Sequence, residues 1–143
     1  MKIAPLIFLG VVGSASFVAT PVSADILIHA ASWHFGQKGF NQENAGLGWR
    51  GEGERWMISA GGYRNSLDRQ SYYVSAGMRV AKFGPLELNL QAGAVSGYTD
   101  TWVPAVVPEI AIDLKRVKVV ISYLPRIDSI GVAEVLGLTF QIK

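Results

Sequence analysis

His34, Ser66 and the amide and acidic side chains around them are the residues of this chain whose types could do chemistry. A histidine, a serine and a carboxylate brought to one place are the parts of an acyl-transfer site. The imidazole takes the proton of the attacking hydroxyl, and the carboxylate orients the ring and stabilises its cation. The candidates fall in polar stretches between apolar ones: His34; Asn41 and Asn44; the run Tyr63-Arg64-Asn65-Ser66-Leu67-Asp68-Arg69; then Tyr98, Asp100, Trp102 and Pro104. Arg64 and Arg69 have the guanidinium geometry that binds lipid phosphates, and they read equally well as solvated loop charges. Trp33, Trp49, Trp56, Tyr72, Tyr98 and Tyr123 read plainly as interfacial aromatics. Residue types alone make this set as good a polar rim as an active site.

Other chemistry is easier to exclude. The chain has no cysteine, so it has no thiol nucleophile, no Cys-based metal site and no disulfide framework. His29 and His34 are five residues apart on a candidate strand, which predicts opposite faces and no shared metal. No glycine-rich phosphate loop follows a strand and opens a helix, so neither a nucleotide nor any other cofactor is expected. The formal charge of +2, with its basic residues scattered, gives no nucleic-acid footprint.

The elements that must position these residues are strands. No stretch after residue 24 keeps a 3.6-residue apolar period over three turns, whereas alternation with period 2 recurs throughout. Candidate strands are 26–35, 44–51, 55–64, 71–81, 86–98, 107–114, 117–125 and 132–142, an even number of eight. Short turns fall at Glu52-Gly53-Glu54, Lys82-Phe83-Gly84-Pro85 and Lys115-Arg116. They alternate with longer connections at 36–43, 65–70, 99–106 and 126–131. Short turns on one rim and longer loops on the other are the outer-membrane pattern, with the short rim in the periplasm. Residues 1–24 read as a secretory signal peptide: an early Lys2, an apolar run from Leu6 to Val12, and small residues to Ala24. Residues 25–143 then form one domain.

Alternation leaves two faces, one carrying Leu86, Leu88, Leu90, Ile110 and Ile112, the other Glu87, Asn89, Gln91, Glu109 and Asp113. A soluble lipocalin-type barrel has the same alternation with the apolar face inside. Gly46, Gly48, Gly77, Gly93, Gly97 and Gly137 share the polar face, and small residues suit a narrow lumen. Arg50, Arg79 and Lys118 lie on that face beside Glu87, Glu109 and Asp113, a set able to pair inside. The expected fold is therefore an all-β, eight-stranded antiparallel up-and-down transmembrane β-barrel with its polar face inward. Charged residues make up 17% of the chain against the roughly 25% of soluble domains, which agrees with it.

The stretch Asp25-Ile26-Leu27-Ile28-His29-Ala30-Ala31-Ser32-Trp33-His34 resembles the first strand of the outer-membrane lipid A palmitoyltransferases, which ends in a similar Trp-His. Phe40-Asn41-Gln42-Glu43-Asn44, Tyr63-Arg64-Asn65-Ser66, Asp100-Thr101-Trp102 with Pro104 and Pro108, Tyr123-Leu124-Pro125 and Phe140-Gln141-Ile142 follow in that family's order. The resemblance implies a barrel in the cell outer membrane that moves an acyl chain from a glycerophospholipid to lipid A. It implies a His and an Asp-Ser pair on the outer rim, which fall here on His34, Asn65 and Ser66, an amide standing where the family has its carboxylate. Asp68 is the nearby carboxylate, and Arg64 or Arg69 would meet a lipid phosphate. The family's prolines interrupt sheet pairing and admit lipid sideways; Pro104 and Pro108 match one such gap, while His29 and Ala45 stand at the other positions. The partners implied are membrane lipids; the oligomeric state is left open by the sequence, with a monomer favoured. Glu87, Asn89, Gln91 and Arg79 would put polar groups where the family houses hydrocarbon, which disfavours a long chain there. Asn65 and these lumen charges leave a second expectation open, a catalytically inactive structural or surface-interaction barrel.

Overall fold

The computed structural model describes residues 23–36, 38–126 and 134–143. They form eight strands: β1 (Ser23–His34), β2 (Glu43–Glu52), β3 (Trp56–Arg64), β4 (Gln70–Phe83), β5 (Leu86–Val95), β6 (Val103–Asp113), β7 (Val117–Leu124) and β8 (Val135–Ile142). Each pairs antiparallel with the next, and β8 returns to β1 through Ile26 opposite Ile142 and His34 opposite Val135, so the sheet is a closed up-and-down barrel. Strand lengths of 8 to 14 residues bracket the roughly 9–11 that a tilted strand needs to cross a bilayer. Turns at 53–55, 84–85 and 114–116 occupy the rim that also holds Ser23 and Lys143; the longer connections occupy the other. Residues 1–22 of the expected signal peptide lie outside the described residues, as do 127–131 of the fourth expected loop. Ser23 and Ala24 pair with Glu52 and Gly51.

The polar face is inside. Asp25, Arg50, Glu52, Ser59, Glu87, Asn89, Gln91, Glu109, Lys118 and Gln141 are all buried, whereas Ile26, Ile28, Leu47, Trp49, Ile58, Val74, Leu90, Val106 and Ile110 are exposed. A solvated surface would invert this, so the exterior is a hydrocarbon-facing one and the lipocalin alternative is excluded. Narrowness is visible at Gly48 and Gly61, where an added Cβ would run into the Tyr73 hydroxyl. Side chains there would displace the tyrosine from the barrel axis.

Buried charges persist only when paired and hydrogen-bonded. Arg50 holds Glu109 through both carboxylate oxygens at 3.0 and 3.1 Å, and its Nε donates to Ser59 at 2.8 Å. Lys118 Nζ reaches Glu52 at 2.8 Å and Glu87 at 3.1 Å. Arg79 lies 3.5 Å from Glu52 and 3.4 Å from Glu87. Gln141 donates to Asp25 and to Glu52. Asp113, expected in this set, instead pairs with Lys143 at the rim, at 2.6 Å. All these groups come from the turn-side ends of their strands, so they fill that half of the lumen alone.

Two β-bulges interrupt the ladders, one between His29 and Ala31 and one between Arg79 and Ala81. The extra residue at Ala30 shifts the alternation of β1 by one. His29 stays inside, and beyond the bulge Ser32 opposes Gly137 while His34 opposes buried Val135. His29 and His34 therefore share the inner face, contrary to the expectation from spacing.

Glu109→Ala would strand Arg50 without its carboxylate in the lumen. We expect it to lower unfolding stability by about 3–5 kcal/mol, measured by urea titration in lipid vesicles. Arg50→Leu/Glu109→Leu, which removes both charges, should cost clearly less.

Candidate functional site

Above the Arg50 and Glu109 pair the lumen changes character. A cavity of about 170 Å³ is lined by Leu27, Val95, Val107, Val120, Leu124 and Val135, with polar groups from His29, Tyr63, Tyr73, Ser122 and Thr139, and Ser66 at its loop end. Arg50, Gln91 and Glu109 form the floor of this cavity, and the other lumen charges lie below them. His29 is fixed by Thr139 at 2.9 Å and by the Tyr73 hydroxyl at 2.8 Å. Its ring also packs against Tyr63 and Tyr73, at 5.6 and 5.4 Å between centroids. This cluster was not legible as a site, since a histidine on the polar face of a strand carries no motif.

The cavity has a wall without backbone pairing. β6 is bonded to β5 along its whole length, from Val103 opposite Val95 to Ile112 opposite Leu86, but to β7 only from Glu109 to Asp113. Asp113 N donates to Pro85 on the β5 side and Leu114 N donates to Val117 on the β7 side. Even-numbered residues of β6 therefore aim their N–H groups at β7, and those at 104 and 108 are prolines with none to give. Residues 103–108 are left unpaired toward β7 among the described residues. The inner side of this seam is Ala105, Val107, Ser122 and Leu124 of the cavity wall; its outer side is exposed Val106 and Tyr123. β6 also begins at Val103 rather than at 107, because prolines facing an open seam do not end its pairing with β5.

The rim residues lie close but are not wired as a catalytic set. The His34 ring stacks on Phe40, 4.8 Å between centroids and 16° from parallel, and neither ring nitrogen has a hydrogen-bond partner among the described residues. The next residue, Asn41, donates its backbone N–H to Ser66 O at 2.9 Å. Phe40, Asn41, Ser66, Leu67 and Asp68 border a rim groove. His34 and Ser66 thus meet through the segment Phe40-Asn41 and not through a hydrogen bond of their own.

Asn65 is fully buried and has no capacity left for either of them. Its Oδ1 accepts from Leu67 N at 2.9 Å and Arg69 N at 3.0 Å; its Nδ2 donates to Ser71 Oγ at 2.9 Å and to Gly97 O at 3.0 Å. The amide ties the β3–β4 loop to the β5–β6 loop, and Tyr63 and Tyr98 add a second tie at 3.1 Å. Burial raises the Tyr98 phenol above its ordinary value, so it stays neutral. β5 ends at Val95, which puts Gly97 in this loop junction and not on a strand face. Asp68 points outward with φ 59° and pairs with Arg64 at 2.6 Å. Arg64 holds its carboxyl below the ordinary range, so the pair persists at neutral pH and is lost only as pH falls through that lowered value. Asp68 therefore does not replace the missing carboxylate. Arg69 is exposed, with its guanidinium unpaired among the described residues. No cluster of metal-ligating side chains occurs among the described residues.

Asn65→Asp would set a carboxylate oxygen against the Gly97 carbonyl in place of a donor. The expected outcome is destabilisation by about 1–3 kcal/mol and faster proteolysis within 96–102. Vesicle unfolding and limited digestion measure both.

No protein-family model matches the chain, and no curated protein matches it. Among solved structures it is similar to the solution NMR structure of the de novo designed TMB2.3. The TM-score is 0.65 at 19% sequence identity, over 89% of this chain and 98% of that one. This likeness concerns the fold, a closed eight-stranded barrel whose apolar exterior fits it to span a membrane.

Proposed function

We propose that the protein is a lipid A acyltransferase-like barrel of the bacterial outer membrane, with its short turns in the periplasm and its loop rim at the cell surface. The observation that carries this reading is the β6–β7 seam, which holds Pro104 and Pro108, is unpaired over residues 103–108 among the described residues, and has the largely apolar cavity beneath Ser66 on its inner side. A polar ligand enters a barrel from its aqueous mouth. An acyl chain enters most cheaply from the side, without leaving hydrocarbon. The depth is limited by Arg50 and Glu109, so the chain end stops where desolvating charge begins.

On this reading the ester of a glycerophospholipid lies at the loop rim. His34 takes the proton of the lipid A hydroxyl that attacks the ester carbonyl and returns it to the departing glyceryl oxygen. Ser66 donates to the carbonyl oxygen as charge develops there. Neither His34 nitrogen has a hydrogen-bond partner among the described residues, but both are buried beneath the Phe40 stack, so a substrate hydroxyl reaches them only when the surrounding rim shifts. Arg69, unpaired among the described residues, is a cation able to meet a lipid phosphate.

The second reading is a barrel of the same scaffold without catalysis, and Asn65 favours it because the position of the orienting carboxylate is fully taken up by loop anchoring. Expression in outer membranes followed by mass spectrometry of lipid A separates the two. Acyl transfer predicts one added chain, lost in His34→Ala and Ser66→Ala. It also predicts a yield reduced several-fold in Pro104→Ala/Pro108→Ala, which restores the seam's donors while leaving the rim intact. No added chain in the wild type leaves the inactive reading standing.

A further inference from the structure

Each of the three short turns sets a cation beside a large apolar side chain turned outward. Arg55 precedes Trp56, Lys82 precedes Phe83, and Leu114 precedes Lys115 and Arg116. Trp56, Phe83 and Leu114 are 52%, 64% and 59% exposed, at the level where the strands end. The side-chain heads of Arg55, Lys115 and Arg116 have no hydrogen bond or ion pair among the described residues. Lys82, about half exposed, reaches Glu87 only at 3.5 Å. Against these cations this rim exposes Glu54, since Asp113 is taken up by Lys143. The loop rim is different: among the described residues its cations Lys38, Arg64, Arg69 and Arg126 are equalled in number by the acids Glu43, Asp68, Asp100 and Glu134, and Arg64 is paired with Asp68.

We infer that the turn-side rim is a collar for the headgroups of anionic glycerophospholipids. An apolar side chain at the edge of the hydrocarbon fixes each turn at the depth of the lipid phosphates. The neighbouring cation extends from that depth to the phosphodiester. Trp56, Phe83 and Leu114 would have no purpose beside unpaired cations on a rim standing free in water. The excess positive charge is confined to this one rim, and charge near a bilayer surface selects anionic over zwitterionic lipid. The inference rests on the membrane-barrel fold and is independent of acyl transfer.

The full chain, folded in detergent and offered equal amounts of phosphatidylglycerol and phosphatidylcholine, is read by native mass spectrometry for retained lipid. The wild type should retain phosphatidylglycerol by roughly fivefold or more, the factor that one engaged cation supplies. Arg55→Gln/Lys115→Gln/Arg116→Gln should bring the ratio near one, with folding checked by heat-modifiable gel mobility. Lys38→Gln on the opposite rim should leave the ratio as it was. Equal retention of the two lipids by the wild type, or an unchanged ratio in the triple variant, overturns the collar. If the triple variant does not fold, Arg116→Gln and a salt series on the wild type decide. A ratio that neither that substitution nor a rise from about 50 to about 500 mM salt reduces also overturns it.

Discussion

A peptide N–H that faces hydrocarbon has no water to donate to, so a chain crossing a bilayer as strands must use each one on a neighbouring strand. That constraint accounts for the closure of β8 on β1, which leaves no edge, and it makes every break in pairing informative. The breaks here are few and located. The bulge in β1 redirects side chains while the strand stays bonded on both sides, and the bulge in β4 lies where its pairing with β3 ends. The β6–β7 seam is unpaired over residues 103–108 among the described residues, and prolines stand there at two positions whose N–H would have pointed to β7. Removing a donor leaves nothing unsatisfied on the proline nitrogen, so the gap costs less in lipid than one made from ordinary residues.

Inside the barrel the organising pair is Arg50 with Glu109. Below it, Glu52, Glu87, Lys118, Arg79, Asp25 and Gln141 pair with one another across the lumen. Above it, the inward side chains become Val, Leu, Ser and Tyr, and space remains. A uniformly charged lumen would hold no hydrocarbon, and a uniformly apolar one would have no floor. The division into two halves makes the seam consequential, because the gap opens at the height of the cavity and not of the charges.

Much of this was legible in the sequence, for physical reasons that can be named. Strand number, the short and long connections and the polar interior follow from period-2 alternation and from where Gly, Pro and charge fall. Pro104 and Pro108 came forward as candidates for a break in pairing through the resemblance, and the structure leaves residues 103–108 without a β7 partner among the described residues. What stayed hidden depends on pairing between distant segments. The bulge at Ala30 has no signature of its own, yet it turns His34 to the inner face. Glu109 was visible as an inward carboxylate, but its choice of Arg50 over Lys118 depends on strand stagger. Asn65 looked like an imperfect catalytic residue, whereas its burial and its tie to Gly97 identify a loop anchor that no local spacing announces.

The anchor also bears on how much chemistry the rim can do. In a serine hydrolase triad, making the aspartate an amide drops turnover by roughly 10⁴ while leaving binding and oxyanion stabilisation in place. His34 has no carboxylate partner among the described residues, and Asn65 is held by four bonds that a carboxylate could not all make. Placing an acid at that position therefore sets the proton relay against the loop junction that shapes the cavity mouth. In this chain the junction is kept. Any transfer at His34 then depends on the Phe40 stack to orient the ring and on the acyl chain, held above Arg50 and Glu109, to bring the ester within reach. Such an enzyme gains from proximity more than from proton relay, and proximity alone is worth up to about 10⁵–10⁸ M in effective concentration.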